Sequence, residues 1–300
     1  MAEWLISLEG TESGRTLALI LAIAAAALHA VFGALQKGRH DPWLSRGAID
    51  ASYFLMALPI ALFLVPWPEP HVWPLFIGVM VIHLIYKLLQ VMSYDRGAYT
   101  VVYPVMRGTG PLVTVVAAGL VFQESFNLVQ WGGVVMLTGA IFSLAAINLR
   151  DSPVGRQRLA VGLVLAFLTG IMVAAYTTFD AYVIRQTANP FTVVFWFYVV
   201  DGIIFPFITL RHYRRLKVKP PLPGLAMRGV IGGLVAFASF SSIMLATRLD
   251  KVGEAAVLRE TSVVFAALIG WLFLKERVGP LRGALMVAIA GGAAVVEFGG

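Results

Sequence analysis

An all-α, polytopic integral membrane protein of ten transmembrane helices, built as two inverted five-helix repeats, is the fold class that this sequence predicts. Three observations predict it. Of its 300 residues 59% are hydrophobic and only 13% charged, and the mean hydropathy of +0.83 lies well outside what a soluble domain usually shows. Ten apolar runs of bilayer-spanning length follow one another with short connections. The stretch from Met92 to Asn127 recurs without a gap 152 residues later, as Met244 to Gly279.

Taken in order, residues 1–15 hold Glu3, Glu9 and Glu12 against Arg15 alone, which is not the basic start of a secretory signal. The first apolar run, Leu17 to Gln36, has about 20 residues, and at 1.5 Å per residue that matches a hydrocarbon core of roughly 30 Å. Similar runs follow at 47–65, 72–93, 101–122, 128–147, 159–184, 191–210, 225–247, 253–273 and 279–298. Connections such as Pro66 to His71 are too short to hold a soluble domain. Cysteine is absent, which removes disulfides, thiolate metal sites and thiol catalysis together.

The repeat divides the chain into residues 1–150 and 151–300. Across the copies Met92 falls on Met244, Arg96 on Arg248, Arg107 on Arg259, Thr109 on Thr261, Glu124 on Glu276 and Gly139 on Gly291. Small residues recur at four-residue spacing, Gly110, Thr114 and Ala118 in one copy and Ser262, Ala266 and Gly270 in the other. That spacing places each trio on one helix face, where small side chains let helices approach closely in lipid. Five spans per copy is an odd number, so the second copy is expected upside down relative to the first, with a site near the midplane where the copies meet.

The net charge of +7 is read first as a topology signal. Arg15, Arg185, Arg248 and Lys251 fall on the side of the N-terminus, sixteen Lys and Arg fall opposite, and three lie inside spans, which accounts for all 23. The positive-inside rule then places both termini outside the cytoplasm, and the expected location is the inner (cytoplasmic) membrane. The cluster Arg211 to Lys219 reads as a topology determinant at a helix end, and no nucleic-acid partner is expected.

The three intramembrane cations are Lys87, Arg107 and Arg259. Each costs at least about 2.5–3.5 kcal/mol on insertion scales and therefore faces a polar cavity or a partner. By the inverted symmetry Arg107 and Arg259 are expected on either side of the midplane. Asp201, at the centre of span seven, and Glu260 are candidate acidic partners or proton carriers. Successive helix positions point about 100° apart, so Arg259 and Glu260 are not expected to pair with each other. Asp180 is expected to cap or snorkel near a helix end. His29, and His83 one turn from Lys87, complete the polar set, each either a titrating site or an interhelical hydrogen-bond partner. Tyr99 and Tyr103 share a face with Arg107. The candidate solute-binding set is thus His29, His83, Lys87, Tyr99, Tyr103, Arg107, Arg259 and Glu260.

Pro104, Gly108, Gly110 and Pro111 predict a break or kink early in span four. Pro59 and Pro206, deep in spans two and seven, are candidate hinges.

Two five-helix units, each with an apolar fourth helix ending in a Glu-containing loop (Phe122-Gln-Glu-Ser and Leu274-Lys-Glu-Arg) and a Gly-rich fifth helix, resemble the drug/metabolite transporter superfamily of the EamA type. Among its characterised members the chain looks most like the YddG-like amino-acid exporters. The resemblance covers nearly the whole chain and implies a secondary exporter working by alternating access, with an amino acid or organic anion as solute and the bilayer as its other partner. The proline that the family often has early in the fourth helix matches Pro111, with Val263 at the repeat equivalent. The glycine that usually precedes the loop Glu is replaced by Gln123 and Lys275. Two arginines in the fourth helices are more than an exporter of lipophilic cations is expected to tolerate.

An intramembrane enzyme would need a nucleophile and base or a metal cluster. There is no HExxH, no cysteine and no paired His-Ser or Asp-Asp arrangement, so no cofactor or metal is expected, and no ATP-binding motif is present. A flippase for lipid-linked headgroups, holding a phosphate on an arginine, and a non-transporting scaffold are the alternatives. The oligomeric state stays open, a monomer included.

Overall fold

The computed structural model describes residues 1–36, 41–97, 99–150, 156–274 and 279–300. The side chains of 33–36, 99, 100, 156 and 270–274 lie outside that description, and with them the loop motif that starts at Leu274 and the small residue Gly270. Among the described residues the elements are helices: α1 (Ala2–Ser7), α2 (Glu12–Gln36), α3 (Pro42–Phe63), α4 (Trp73–Arg96), α5 (Tyr99–Phe122), α6 (Leu128–Arg150), α7 (Arg156–Arg185), α8 (Pro190–Gly202), α9 (Phe205–Arg215), α10 (Leu222–Leu249), α11 (Val252–Arg259), α12 (Ser262–Leu274) and α13 (Pro280–Phe298).

Nine stretches among them are long and apolar enough to cross a membrane, with α8 and α9 counted as one stretch, Pro190–Arg215. The tenth expected span, 253–273, is split into α11 and α12. Burial runs opposite to that of a water-soluble protein. Leu55, Phe63, Leu120, Val135 and Val287 are 63% to 80% exposed, whereas Asp50, Lys87 and Glu260 are at most 1% exposed. Apolar perimeter and charged interior are the arrangement that a hydrocarbon solvent selects. This is a multi-pass membrane protein.

Two apolar clusters hold the helices. One joins Ala22 and Ala25 of α2 to Leu137 and Ile141 of α6, Val257 of α11 and Ile289 of α13. The other joins Tyr53 and Ala57 of α3 to Phe76 of α4, Val183 of α7 and Phe197 of α8. Neighbours come in matched pairs: α2 lies against α10 and α4 against α7, while α5 lies against α7 and both α11 and α12 against α2. Advancing the numbering by 152 exchanges the members of each pair. Small residues set the closest approaches. A Cβ on Gly133 of α6 would stand 2.7 Å from the Gly292 carbonyl oxygen of α13, and one on Gly292 would stand 2.7 Å from that of Gly133. Gly110 sits against Val173 of α7, and Thr114 and Ala118 on its face are fully buried.

Hydrogen bonds gather the chain ends on one face. Arg248 of α10 pairs with Glu9 at 2.6 Å, Asn127 donates to the Gly299 carbonyl at 2.7 Å, and Glu69 accepts from the Thr187 hydroxyl at 2.9 Å. Burial works against charge on Glu69, yet amide hydrogen bonds and the Thr187 hydroxyl prevail and hold its carboxyl below the usual carboxylate range.

The expected break in span four does not occur: α5 runs through Pro104 and Pro111. Its Gly110 face is pressed onto α7, which supports the helix where the proline removes a hydrogen bond. The break falls instead in the second copy, where no proline stands. Glu260 and Thr261 turn their amides to the i−3 carbonyls of Val257 and Leu258, and the Thr261 hydroxyl also donates to Leu258 at 2.7 Å. A tightened turn with a competing side chain ends the helix there. Span seven is interrupted too, between α8 and α9, and Pro206 stands in the first turn of α9 rather than deep in a continuous helix. Pro59 lies inside an unbroken α3.

The loop after α5 does structural work across the repeats. Gln123 has φ 58, a left-handed conformation that costs a Cβ-bearing residue roughly 1–2 kcal/mol. Next to it, Glu124 accepts the Val252 amide at 2.7 Å and the Gly253 amide at 2.9 Å, capping α11 from outside. Burial pushes the Glu124 carboxyl up, and the two amides offset this only in part. Glu124→Ala is expected to destabilise the protein by about 0.5–2 kcal/mol, the usual worth of a cap, and Gln123→Gly to stabilise it by about 1 kcal/mol. Thermal unfolding in detergent measures both. Equal melting temperatures for Glu124→Ala and the parent would refute the capping role.

Candidate functional site

Two buried charge clusters occupy the interior. The first is built from α5 and the turn between α11 and α12. Because α11 ends at Arg259, Glu260 is carried out of the helix and its carboxylate reaches across to α5, where Arg107 Nε stands 2.7 Å from Oε2. Arg259 Nε is 3.9 Å from Oε1 of the same carboxylate. The two arginines meet at one carboxylate, and the Arg259–Glu260 contact that helical spacing disfavours is made loosely because the helix has ended. Arg107 also donates to the Arg259 carbonyl and the Ser262 hydroxyl, each at 3.4 Å, and Arg259 donates to the Thr177 hydroxyl at 3.2 Å.

Two guanidinium groups share one carboxylate, which leaves one positive charge in excess. Neither oxygen of Glu260 accepts an aligned hydrogen bond among the described residues, and Arg107 Nε and Arg259 Nε lack one likewise. Arg107 therefore holds Glu260 closely and Arg259 holds it loosely. Tyr103, one turn before Arg107, is buried with Arg107, Glu260 and Arg259 as its charged neighbours. The Tyr99 side chain lies outside the described residues.

The second cluster joins α3, α4, α7 and α8. Lys87 Nζ lies 2.6 Å from Asp50, 2.7 Å from the Asp201 carboxylate and 2.7 Å from the Asp201 carbonyl, with the Tyr53 hydroxyl at 3.0 Å. Tyr53 in turn donates to Asp201 Oδ2. Arg46 holds the other oxygen of Asp50 at 2.8 Å. His83, one turn before Lys87 on α4, reaches Asp180 Oδ2 at 2.9 Å and stands 3.8 Å from Asp201. Three carboxylates thus face one ammonium and one guanidinium, with the His83 imidazole between Asp180 and Asp201.

Between the clusters is a cavity of about 10 Å³, roughly room for one water. Asp180 of the second cluster and Arg259 of the first both line it, with Tyr176, Thr177 and Phe240. The Tyr176 ring lies 4.6 Å from the His83 ring and 5.9 Å from the Arg259 guanidinium. His29 is buried one layer behind, its ring 6.5 Å from Phe240 and 5.8 Å from Phe32.

Two expectations are corrected. Asp180 neither caps nor snorkels: it is 5% exposed and holds His83. Arg46, counted among the cytoplasmic-side charges, is in the second turn of α3 and buried on Asp50, which lowers that count by one without reversing the asymmetry. Asp50, Arg46 and Tyr53 are the members that the sequence reading missed. The signal was present: an acid inside an apolar run with an arginine four residues before it lies on one helix face. Thr177 and Tyr176 carried no such signal. Among the described residues no set of three His, Cys, Asp or Glu side chains converges as metal ligands would.

Residues 160–298 match the EamA-like transporter family, and the matched stretch contains Asp180, Asp201, Arg259 and Glu260. The uncharacterized protein y4nH of Sinorhizobium fredii is 36% identical over 70 residues, which is 23% of this chain and 60% of y4nH; the chain thus spans less than two thirds of that relative. A crystal structure of a protein with 16% identity aligns over 96% of this chain and 99% of its own at a TM-score of 0.75. At that identity the likeness shows a common fold, and it extends over both halves.

Lys87 is the ammonium shared by Asp50 and Asp201. Lys87→Met leaves both carboxylates short of a buried partner and is expected to cost about 3–5 kcal/mol. Unfolding followed by tryptophan fluorescence in detergent measures it. A loss below about 1 kcal/mol, the worth of an exposed pair, would show that the cluster is solvated and not a tie.

Proposed function

We propose that the protein is a secondary transporter that exports amino acids, or similar small zwitterionic or anionic metabolites, across the inner membrane by alternating access between two inverted repeats, as the YddG-like exporters do. The observation that carries this reading is the Arg107–Glu260–Arg259 cluster. A guanidinium grips a carboxylate through two parallel hydrogen bonds, and here two of them surround a carboxylate that neither binds in that aligned way. Glu260 is an internal placeholder, standing where the solute carboxylate binds once the halves part.

The same geometry gives a route for proton coupling. A proton on Glu260 neutralises the placeholder and frees both arginines for an external anion; loss of the solute lets Glu260 ionise and return. Asp201, held by Lys87 and Tyr53, is less free to play that part, and Lys87 is a tie of the bundle more than a ligand of the solute. His83 and His29 are the next titrating candidates.

Alternating access is supported by the exchange of helix neighbours under the 152-residue shift and by a clasp at the face that holds the chain ends. Arg185 of α7 donates to the carbonyls of Thr247 at 2.7 Å and Asp250 at 3.0 Å. Reciprocally, Arg248 of α10 donates to the carbonyl of Ile184 and, at 3.1 Å, to that of Thr187. Each arginine caps the C-terminal end of the other's helix, a favourable place for a cation, and the clasp must open for this face to admit water. Pro59 and the Pro206 interruption are the hinges of the rocking motion.

Counterflow into proteoliposomes against amino acids, other organic anions and cationic dyes tests the reading. Amino acids or organic anions are expected to exchange, and dyes are not. Arg107→Lys and Arg259→Lys, folded as stably as the parent, are expected to lower that exchange at least tenfold, because charge is kept while the planar fork is lost. Dye exchange alone, or both lysine variants at parental rates, would overturn it.

A further inference from the structure

The carboxylate-rich cluster and the guanidinium-rich cluster each present one group to the same cavity, Asp180 and Arg259. Asp180 is the end of the second cluster, which carries one carboxylate too many; its Oδ2 holds His83, while its Oδ1 is buried with no hydrogen-bond partner among the described residues. Arg259 belongs to the first cluster, where it shares Glu260 with Arg107, and its buried Nε makes only the loose 3.9 Å contact to that carboxylate, with no hydrogen bond among the described residues. Both line the same cavity of about 10 Å³, 5% and 3% exposed, without forming an ion pair with each other. A buried carboxylate oxygen without a hydrogen bond is costly, so an acid and a guanidinium that line one cavity without pairing are complementary to something that brings a cation to one and an anion to the other.

We propose that Asp180 is the residue that reads the ammonium group of the solute, so that the site takes α-amino acids in preference to carboxylic acids of the same shape. This rests on the reading of the protein as a transporter of amino acids and related metabolites. Asp180 Oδ1 accepts from the solute ammonium, and Arg259 with Arg107 holds the carboxylate. Phe240, Ile243 and Met244 form the apolar part of the lining and meet the solute side chain. The cavity as it stands is too small for any amino acid, so the solute binds when α7 and α10 separate. A site built to bond a polar group rejects the analogue that lacks it far more strongly than an apolar pocket rejects a size change, because its own buried groups are then left unpaired. His83 acts as a positioning residue, fixing the Asp180 carboxylate so that Oδ1 points into the cavity.

The apolar lining selects the probes: L-leucine against 2-hydroxy-4-methylpentanoate, and L-phenylalanine against 3-phenyllactate. Each pair differs only by ammonium against hydroxyl. Purified protein in proteoliposomes is loaded with the unlabelled amino acid, and each probe is tested as competitor of labelled counterflow. The parent is expected to prefer the amino acid by at least tenfold. Asp180→Asn is expected to erase that preference, with amino-acid half-saturation rising at least tenfold and the hydroxy acids staying within about twofold. Should Asp180→Asn not fold, Asp180→Glu is read instead, and the preference is expected to persist at reduced affinity; unchanged affinity there overturns the assignment. A parent that exchanges both members of each pair equally well, or an Asp180→Asn variant that keeps the preference, overturns it while leaving the transport reading in place. A parent that exchanges neither amino acids nor organic anions overturns the transport reading and this assignment together.

Discussion

Charges sealed inside a bundle whose outer surface meets lipid must be answered within the bundle, and at Glu260 one carboxylate answers two guanidinium groups. The helix interruption at Glu260–Thr261 follows from this demand as much as from local chemistry. A continuous helix would aim Arg259 and Glu260 about 100° apart, whereas the tightened turn delivers the carboxylate to Arg107 of α5. The cap that Glu124 supplies to α11 fixes the start of that short helix, and Ser262 at the start of α12 takes a hydrogen bond from Arg107. Sequence, backbone break and the contact between α5 and the α11–α12 turn are one arrangement.

Buried ion pairs seldom add net stability over well-packed apolar groups, although losing one partner is costly. Their presence here therefore asks for another reason. In the first cluster two guanidinium groups share one carboxylate, in the second three carboxylates share one ammonium, one guanidinium and an imidazole, and Arg259 of the one and Asp180 of the other line a common cavity. A purely structural network would be expected to close on itself. The Lys87 cluster nearly does, since Asp50 and Asp201 are each held from two or three directions; only its Asp180 end is left open.

Much of this was legible in the chain. Hydropathy and run length gave the helical membrane architecture, and the gapless recurrence singled out Arg107 and Arg259 because non-apolar identities inside apolar runs are costly accidents. Proline placement did not locate the interruption, since α5 runs through Pro104 and Pro111, while Thr261 ended a helix with no proline in it. The partners of the buried cations were only half visible. Glu260 and Asp201 lie inside apolar runs, as does Asp50, whose arginine four residues before it was the overlooked sign, but Asp180 was hidden by its place near a helix end. Depth in sequence is a poor guide to burial where helices of unequal length meet, and the pairing of α4 with α7, which buries Asp180 on His83, is a long-range fact that no local pattern carries.

The central claim is that Glu260 occupies the place of a solute carboxylate, and Glu260→Gln tests it most directly. The glutamine keeps shape and removes the competing charge. Titration of the purified protein in detergent with L-leucine and L-phenylalanine, followed by intrinsic tryptophan fluorescence or calorimetry, gives the affinity. If the placeholder account holds, Glu260→Gln binds the amino acid at least tenfold more tightly than the parent and loses the pH dependence of binding. Unchanged or weaker binding in a variant as stable as the parent would contradict it, and would leave the two arginines and Glu260 as ties between the repeats.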